Sequence, residues 1–176
     1  MPEQFFFNET SDPAKLNNRQ RGQLAEIVFM RKAASLGLSV AKPWAEGERY
    51  DFIVRADKVC WRVQVKSVLA KARLDKNYRI RTCGGQSPHQ VTPYSSDEID
   101  FLAAYIFEQD IWYVFPASAV ENHQVVCVVP GSKRSRNEQY REAWKLMKPP
   151  VPQATVESTA ETGTVETGTV ETMPDP

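Results

Sequence analysis

Residues 47–69 read GERYDFIVRADKVCWRVQVKSVL, and this segment predicts a β-hairpin. From Val59 to Val65 apolar and polar side chains alternate, which is the period-two pattern of a half-buried strand, here predicted over residues 59–69. Residues 49–56 form the other predicted strand, and Asp57–Lys58 form the tight turn between the two.

Four polar side chains are expected to meet beside this hairpin. Gln64 and Lys66 stand two residues apart on one strand and therefore project from the same face. Counting back from the turn places Asp51 opposite the Gln64 region, within cross-strand range. Glu26 belongs to a helix predicted over residues 15–36, which is expected to pack nearby.

These residue types suit the hydrolysis of a phosphodiester. Such a reaction needs an activated water, and Mg²⁺, which prefers oxygen ligands and keeps several waters, supplies much of that activation. We expect Asp51 to bind the metal, Gln64 to offer a neutral amide oxygen, and Glu26 to bind directly or through water. Lys66 would face the scissile phosphate or the attacking water and stabilise developing charge.

The helix and strand signals elsewhere predict an α/β fold, a mixed β-sheet flanked by helices. In the helix over residues 15–36, Leu24, Ile27, Val28 and Ala34 are expected to form the buried stripe. Ser95 and Glu98 form a capping-box pattern that predicts a helix over residues 97–109. The remaining predicted elements are strands over 38–44, 77–82, 111–115 and 124–129 and a helix over 137–147.

Charge and composition divide the chain of 176 residues into a domain, 1–148, and a tail, 149–176. The tail repeats TAETG, TVETG and TVETM without a large aromatic residue or leucine, which predicts disorder. It holds five acidic residues and no Lys or Arg, so residues 1–148 hold 22 basic and 17 acidic residues, a formal charge of +5. A basic body suits a polyanion partner, and an ordinary solvated surface with a solubilising tail explains the charges equally well.

The sequence offers few signs of other classes of protein. Its three cysteines form no CxxC pair and imply neither a disulfide framework nor a zinc site. No apolar run is long enough for a membrane span, and the first residues lack the pattern of a signal peptide, so a cytoplasmic location is expected and no membrane partner.

A basic stretch follows the Lys66 strand, where a DNA-facing loop or hairpin would be useful. A solvated face is the alternative interpretation, and Ser67 is either a phosphate contact or a structural serine. The candidate DNA-binding residues are Ser67, Lys71, Arg73, Lys76, Arg79 and Arg81.

The motif GERYDFIV (47–54) followed by WRVQVKS (61–67), behind a helix that bears Glu26, resembles the PD-(D/E)xK nuclease superfamily. Tyr50 replaces the motif proline, and Gln64 replaces its acidic residue. A glutamine there is similar to the homing endonucleases associated with group I introns, as are the downstream Tyr94, Asp100 and the strand that ends at Pro116. The resemblance implies a restriction-endonuclease-like core, catalysis by Glu26, Asp51, Gln64 and Lys66, and Mg²⁺, with Mn²⁺ as a substitute.

The resemblance also implies a homodimer or homotetramer that cleaves double-stranded DNA. A Holliday-junction resolvase or a restriction-like nuclease shares the same core and stays open as an alternative. A catalytically inactive DNA-binding module on this fold also stays open, because Gln64 lowers the charge of the site.

Overall fold

The computed structural model describes residues 12–45, 47–71, 76–85 and 91–148. The predicted tail at 149–176 and Arg73 lie outside these residues. In chain order the helices and strands are α1 (Asn18–Ser35), β1 (Ser39–Ala41), β2 (Phe52–Ala56), β3 (Val59–Val68), β4 (Tyr78–Arg81), β5 (Cys83–Gly84), β6 (Thr92–Pro93), β7 (Phe101–Ile106), β8 (Ile111–Pro116), α2 (Ala117–Val120) and β9 (Val125–Val128). Short 3₁₀ helices cover Pro13–Lys15, Phe107–Gln109, Arg136–Tyr140 and Trp144–Met147. Among the described residues, no helix is long and apolar enough to cross a membrane.

Five strands form a mixed sheet in the order β1-β2-β3-β7-β8. The predicted hairpin is confirmed: β2 and β3 are antiparallel, with Phe52 opposite Val63, and the turn at Asp57 has a positive φ of 54°. Strand β7 runs parallel to β3 on its other side, and β8 is antiparallel to β7. The α/β class with a mixed sheet is therefore confirmed, and β3 is its central strand.

The two faces of the sheet bury two separate apolar clusters. Strand β7 shows the division, because Phe101, Ala103 and Tyr105 pack with α1 on one face. Its alternate residues Leu102 and Ala104 pack on the other face, against the two-stranded β4-β9 sheet and α2. The sheet is thus covered on both sides, which holds its central strand in place.

Helix α1 is confirmed, but the predicted buried stripe is wrong except at Val28, which is half-buried against the core. The helix begins after a capping box between Asn17 and Gln20, and its buried residues are Ala25, Phe29 and Ala33. Ile27, predicted to be inward, is 58% exposed. The buried face is built from two alanines beside one phenylalanine, and alanine gives a weak hydrophobic signal. Phe29 stacks on Phe52 at 5.2 Å between ring centroids, which fixes α1 against β2.

The helix predicted over residues 97–109 is wrong, because this segment contains strand β7. The capping-box contact exists, since the Ser95 N–H donates to Glu98 Oε2 at 3.1 Å, but it closes a single turn at residues 96–98. All six residues of β7 are buried. A short run that is apolar on both sides fits a central strand as well as a buried helix, and periodicity cannot separate the two.

The helix predicted over residues 137–147 is also wrong. Two short 3₁₀ helices occupy this region, and Glu142 between them has a positive φ of 48°. Its N–H donates to the Trp112 carbonyl at 2.9 Å, and its side chain accepts from the Trp112 N–H and the Trp144 indole. These contacts with strand β8 hold the segment in its broken form.

The predicted strands over 77–82, 111–115 and 124–129 are confirmed as β4, β8 and β9, with small shifts of boundary. The strand predicted over 38–44 is shorter, Ser39–Ala41. The strand predicted over 49–56 begins only at Phe52, so Asp51 stands immediately before β2 rather than within it.

Candidate active site

The predicted site residues meet in one cavity at the start of β2. The cavity has a volume of about 330 Å³, and Glu26, Asp51, Gln64, Lys66 and Ser67 all line it. Asn18 and Gly22 of α1 line it as well, although nothing in the sequence singled them out. The arrangement follows from the fold: α1 supplies Glu26, the residue before β2 is Asp51, and central strand β3 supplies the rest.

Asp51 continues the hydrogen bonding to β3 beyond the first residue of β2. The Asp51 N–H donates to the Val63 carbonyl at 2.9 Å. Its side-chain Oδ2 then accepts the Val65 N–H at 2.8 Å, which is the backbone donor that the missing strand would have paired. The side chain is therefore held by the backbone of the same strand that carries Gln64 and Lys66.

Gln64 is bound to Asp51 and is 7% exposed. Its Nε2 donates to Asp51 Oδ2 at 2.5 Å and to the Val65 carbonyl at 3.1 Å. Because both partners are acceptors, the nitrogen of the amide is assigned to this side. The amide oxygen is then the group that can serve a cation.

The carboxylate of Glu26 holds a lysine that sequence reasoning missed. Lys42 Nζ lies 2.7 Å from Glu26 Oε2, and Lys42 is 61% exposed. Lys42 follows β1, and nothing in its local sequence marks it as a neighbour of Glu26. With Lys66, the site has two formal positive charges beside two carboxylates before any metal is added.

The pKa of the Asp51 carboxyl is raised. Burial is the main cause, because it disfavours the charged form, and the negative charge of Glu26 acts in the same direction. The Val65 N–H and the charges of Lys66 and Lys42 oppose the shift. A cation bound beside Asp51 would stabilise its charged form, and the negative charge of Glu26 would attract that cation.

The donor set fits a hard divalent cation. Two carboxylates and an amide offer oxygen ligands, and Mg²⁺ typically takes one or two carboxylates and keeps several waters. Among the described residues, no group of three or more His, Cys, Asp or Glu side chains is placed to hold a metal ion. The residues that would hold such an ion are Glu26, Asp51 and the Gln64 amide, which line the same cavity.

Lys66 contacts an aromatic ring from the segment between β3 and β7. Its Nζ lies 5.1 Å from the ring centroid of Tyr94, and the guanidinium of Arg49 lies 4.5 Å from the same centroid. Arg49 also donates to Glu98 Oε1 at 3.0 Å. Neither Arg49 nor a role for Tyr94 was predicted; the position of Arg49 two residues before Asp51 was the available signal.

The predicted DNA-binding residues occupy three places. Arg79 and Arg81 are exposed on β4 and alternate with the buried Tyr78 and Ile80. Lys71 and Lys76 are exposed, and Lys71 lies over the Tyr78 ring at 5.1 Å. Ser67 is in the cavity, so it is separate from the β4 surface.

Comparisons with known proteins identify a nuclease family and a similar solved structure. The family described as "PD-(D/E)XK endonuclease" matches residues 16–147. The structure of I-Ssp6803I, a bacterial homing endonuclease, is similar, with 27% sequence identity, a TM-score of 0.65, and coverage of 74% of this chain and 93% of that chain. The crystal structure of MepB is much less similar, with 10% identity, a TM-score of 0.38, and coverage of 63% of this chain and 84% of that chain. A search of curated proteins gave no match.

Proposed function

We propose that this chain, which belongs to the PD-(D/E)XK endonuclease family, hydrolyses phosphodiester bonds in duplex DNA with the help of a divalent metal ion. The metal proposed is Mg²⁺, with Mn²⁺ as a substitute. The observation that carries the proposal is the convergence of Glu26, Asp51, Gln64 and Lys66 on one cavity.

Each side chain has a proposed role. Asp51 and the Gln64 amide oxygen would bind the metal, and Glu26 would bind it directly or through a water. The bound ion would supply a more acidic water and neutralise phosphate charge. Lys66, on the same strand face as Gln64, would stabilise charge on the phosphate oxygens or orient the attacking water.

A basic surface on β4 and just before it supports DNA as the substrate. Arg79 and Arg81 project from one face of β4, and Lys71 and Lys76 lie before that strand. Ser67 in the cavity is proposed to contact phosphate, and Arg73 belongs to the same basic stretch by sequence. Contacts of this kind add affinity by releasing counterions and carry no sequence information by themselves.

The similarity to a bacterial homing endonuclease favours a homing-like cleavage. We propose duplex DNA as its substrate and a homodimer or homotetramer as the active form. The nuclease unit proposed is residues 1–148, with 149–176 as a disordered acidic tail, and the proposed location is the cytoplasm. A junction resolvase, a restriction-like nuclease and an inactive DNA-binding module are the competing functions, and Gln64 is the residue that keeps the last one open.

The test is a cleavage assay on supercoiled plasmid and on a branched DNA junction, with Mg²⁺, Mn²⁺ or EDTA. Asp51→Asn and Lys66→Ala are each expected to lower the cleavage rate at least about 100-fold. Matched controls come from the β2–β3 turn: Asp57→Asn at a residue with positive φ, and Lys58→Ala. Both controls should cut at the wild-type rate.

The possible results separate the candidate functions. Cutting of plasmid that needs the divalent ion and Asp51 supports the proposal, whereas preferential cutting of the junction supports a resolvase. Tight DNA binding without cutting in either ion supports the inactive module. Wild-type cutting by Asp51→Asn or Lys66→Ala would remove the site assignment. Sedimentation analysis of the same protein tests the oligomer.

A further inference from the structure

Tyr94 lines a second, larger cavity that shares residues with the candidate active site. This second cavity has a volume of about 760 Å³, and Gln64 and Lys66 line it as they line the first. Tyr94, Arg49 and Gly84 also line it. Lys66 thus lines the cavity that holds the carboxylates of Glu26 and Asp51 as well as the cavity that holds the Tyr94 ring.

The Tyr94 ring is held firmly from several directions. Tyr94 is 3% exposed, and its backbone N–H donates to the Thr82 carbonyl at 3.1 Å. The guanidinium carbon of Arg49 lies 4.5 Å from the centroid of the ring. Arg49 is in turn bound to Glu98 at 3.0 Å and to the Thr92 carbonyl at 3.2 Å. A ring fixed in this way can fix a flexible side chain that lies against it.

Gly84 gives the ring its space. A Cβ at this position would lie 2.3 Å from the Tyr94 hydroxyl oxygen and 3.0 Å from its Cζ atom. Strands β5 and β6 bring the two residues together, since Gly84 pairs with Thr92, two residues before Tyr94. Any larger residue at position 84 must therefore move the ring or move away from it.

We propose that Tyr94 is a positioning residue for Lys66. In the part of the chain that the structure describes, Lys66 forms no salt bridge, and the Tyr94 ring lies 5.1 Å from its Nζ. The negative face of an aromatic ring attracts an ammonium group and restricts its rotamers without neutralising its charge. The ammonium then stays available to a phosphate. This inference rests on the proposed catalytic role of Lys66.

The first experiment compares Tyr94→Leu with Tyr94→Phe in single-turnover cleavage at saturating Mg²⁺ and protein. Tyr94→Leu should slow cleavage about 5- to 30-fold, the range that a cation–π contact provides. Its affinity for DNA, measured with Ca²⁺ in place of Mg²⁺, should change less than about twofold. Tyr94→Phe keeps the ring and should restore most of the lost rate, because the hydroxyl has no part in the contact.

A matched control separates this effect from the loss of a buried tyrosine. Tyr78 is 1% exposed and has Lys71 over its ring at 5.1 Å, outside the candidate active site. Tyr78→Leu should lower the melting temperature as Tyr94→Leu does, but its single-turnover rate should be unchanged. An equal loss of rate in both variants would assign the effect to general packing and would overturn the inference.

A second pair of variants tests the ring without removing it. Gly84→Ala should displace the Tyr94 ring and slow cleavage to a similar extent. The double variant Gly84→Ala/Tyr94→Phe removes the oxygen that the new Cβ would meet and should regain part of the rate. A double variant slower than Gly84→Ala would overturn the inference.

An NMR measurement on metal-free protein separates this inference from the proposed function. The Cε protons of Lys66 should show an upfield ring-current shift that Tyr94→Phe keeps and Tyr94→Leu abolishes. Absence of that shift in wild type overturns the inference, whatever the cleavage assay shows. If wild type shows the shift but Lys66→Ala cuts as fast as wild type, the contact with Tyr94 exists but Lys66 is not catalytic. The positioning role is then overturned together with the proposed function of Lys66.

Discussion

Replacing Gln64 with glutamate should make the stability of the domain depend on a divalent cation. In wild type, Gln64 Nε2 donates to Asp51 Oδ2 at 2.5 Å. Gln64→Glu replaces this donor with a second carboxylate oxygen at a 7% exposed position, so an attraction becomes a repulsion. Two charges about 4 Å apart at an effective dielectric of about 20 interact by about 4 kcal/mol.

Protonation limits the loss to a similar value. Raising the pKa of a glutamate from about 4.3 to 7 corresponds to a loss of about 3.7 kcal/mol in the free energy of unfolding. If the repulsion were larger, the new side chain would take up a proton at pH 7, and the loss would not increase further. For a domain of this size, 1 kcal/mol shifts the melting temperature by about 2–4 °C, so about 8–16 °C should be lost in EDTA. The loss should fade as the pH falls toward about 4, where the unfolded glutamate is protonated as well.

The assay is thermal unfolding followed by circular dichroism, in EDTA and in Mg²⁺. Added Mg²⁺ should restore most of the lost melting temperature, because a third carboxylate strengthens the site for the cation. Gln139→Glu, on an exposed side chain, is the charge-matched control and should melt as wild type in both conditions. Wild-type melting of Gln64→Glu in EDTA would refute the contact with Asp51, and a loss that Mg²⁺ leaves unchanged would refute the metal site.

Two further predictions concern ion pairs, and a third concerns the charge of the tail. Lys42→Met should lower the Mg²⁺ concentration for half-maximal cleavage by about two- to fivefold, because the largely exposed Lys42 competes weakly with the metal ion for Glu26. A higher Mg²⁺ concentration for half-maximal cleavage would contradict this role of Lys42. Asp100→Asn should destabilise the domain by about 2 kcal/mol at pH 7, measured by urea unfolding, because Asp100 accepts from the Arg62 N–H at 2.7 Å and from its guanidinium at 2.9 Å. Burial alone raises the pKa of Asp100, but the hydrogen bonds and charge of Arg62 lower it overall. The stabilisation by Asp100 should therefore be present above about pH 4 and lost below it. A stability difference between Asp100→Asn and wild type that is independent of pH would contradict the ion pair. Deleting residues 149–176, which carry five acidic and no basic residues, should tighten DNA binding at low salt, and an affinity unchanged in a fluorescence titration would contradict competition by the tail.

The hairpin and the convergence of the site were predictable because both depend on local periodicity. The alternation from Val59 to Val65 and the two-residue turn determine the register, and the register places Asp51 beside Gln64. The motif then adds Glu26 from α1, since helix and hairpin are close in sequence. Nothing beyond a short segment and one packing contact was needed.

The errors arose where distant contacts override local preference. Strand β7 contains two alanines and is apolar throughout, and it is a strand because it pairs with β3. The segment from residue 137 is amphipathic, but Glu142 is held by Trp112 from across the fold and by its near neighbour Trp144. Lys42 and Arg49 carry ordinary charges on short loops, so their partners Glu26 and Glu98 could be found only in three dimensions.

The route of the chain between β3 and β7 has a practical meaning for engineering. The two strands lie side by side, yet the described residues between them, 69–71, 76–85 and 91–100, contain β4, β5 and β6, which are not part of the main sheet. Residues 92–98 are tied to Arg49, whereas β4 pairs only with β9 among the strands. A chimera with junctions after Val68 and before Thr82 would exchange the arginine-bearing strand for that of a related nuclease and leave Thr82 and Gly84 beside Tyr94. Such a graft would alter how strongly the protein holds the phosphate backbone, while the residues around the candidate site kept their own neighbours.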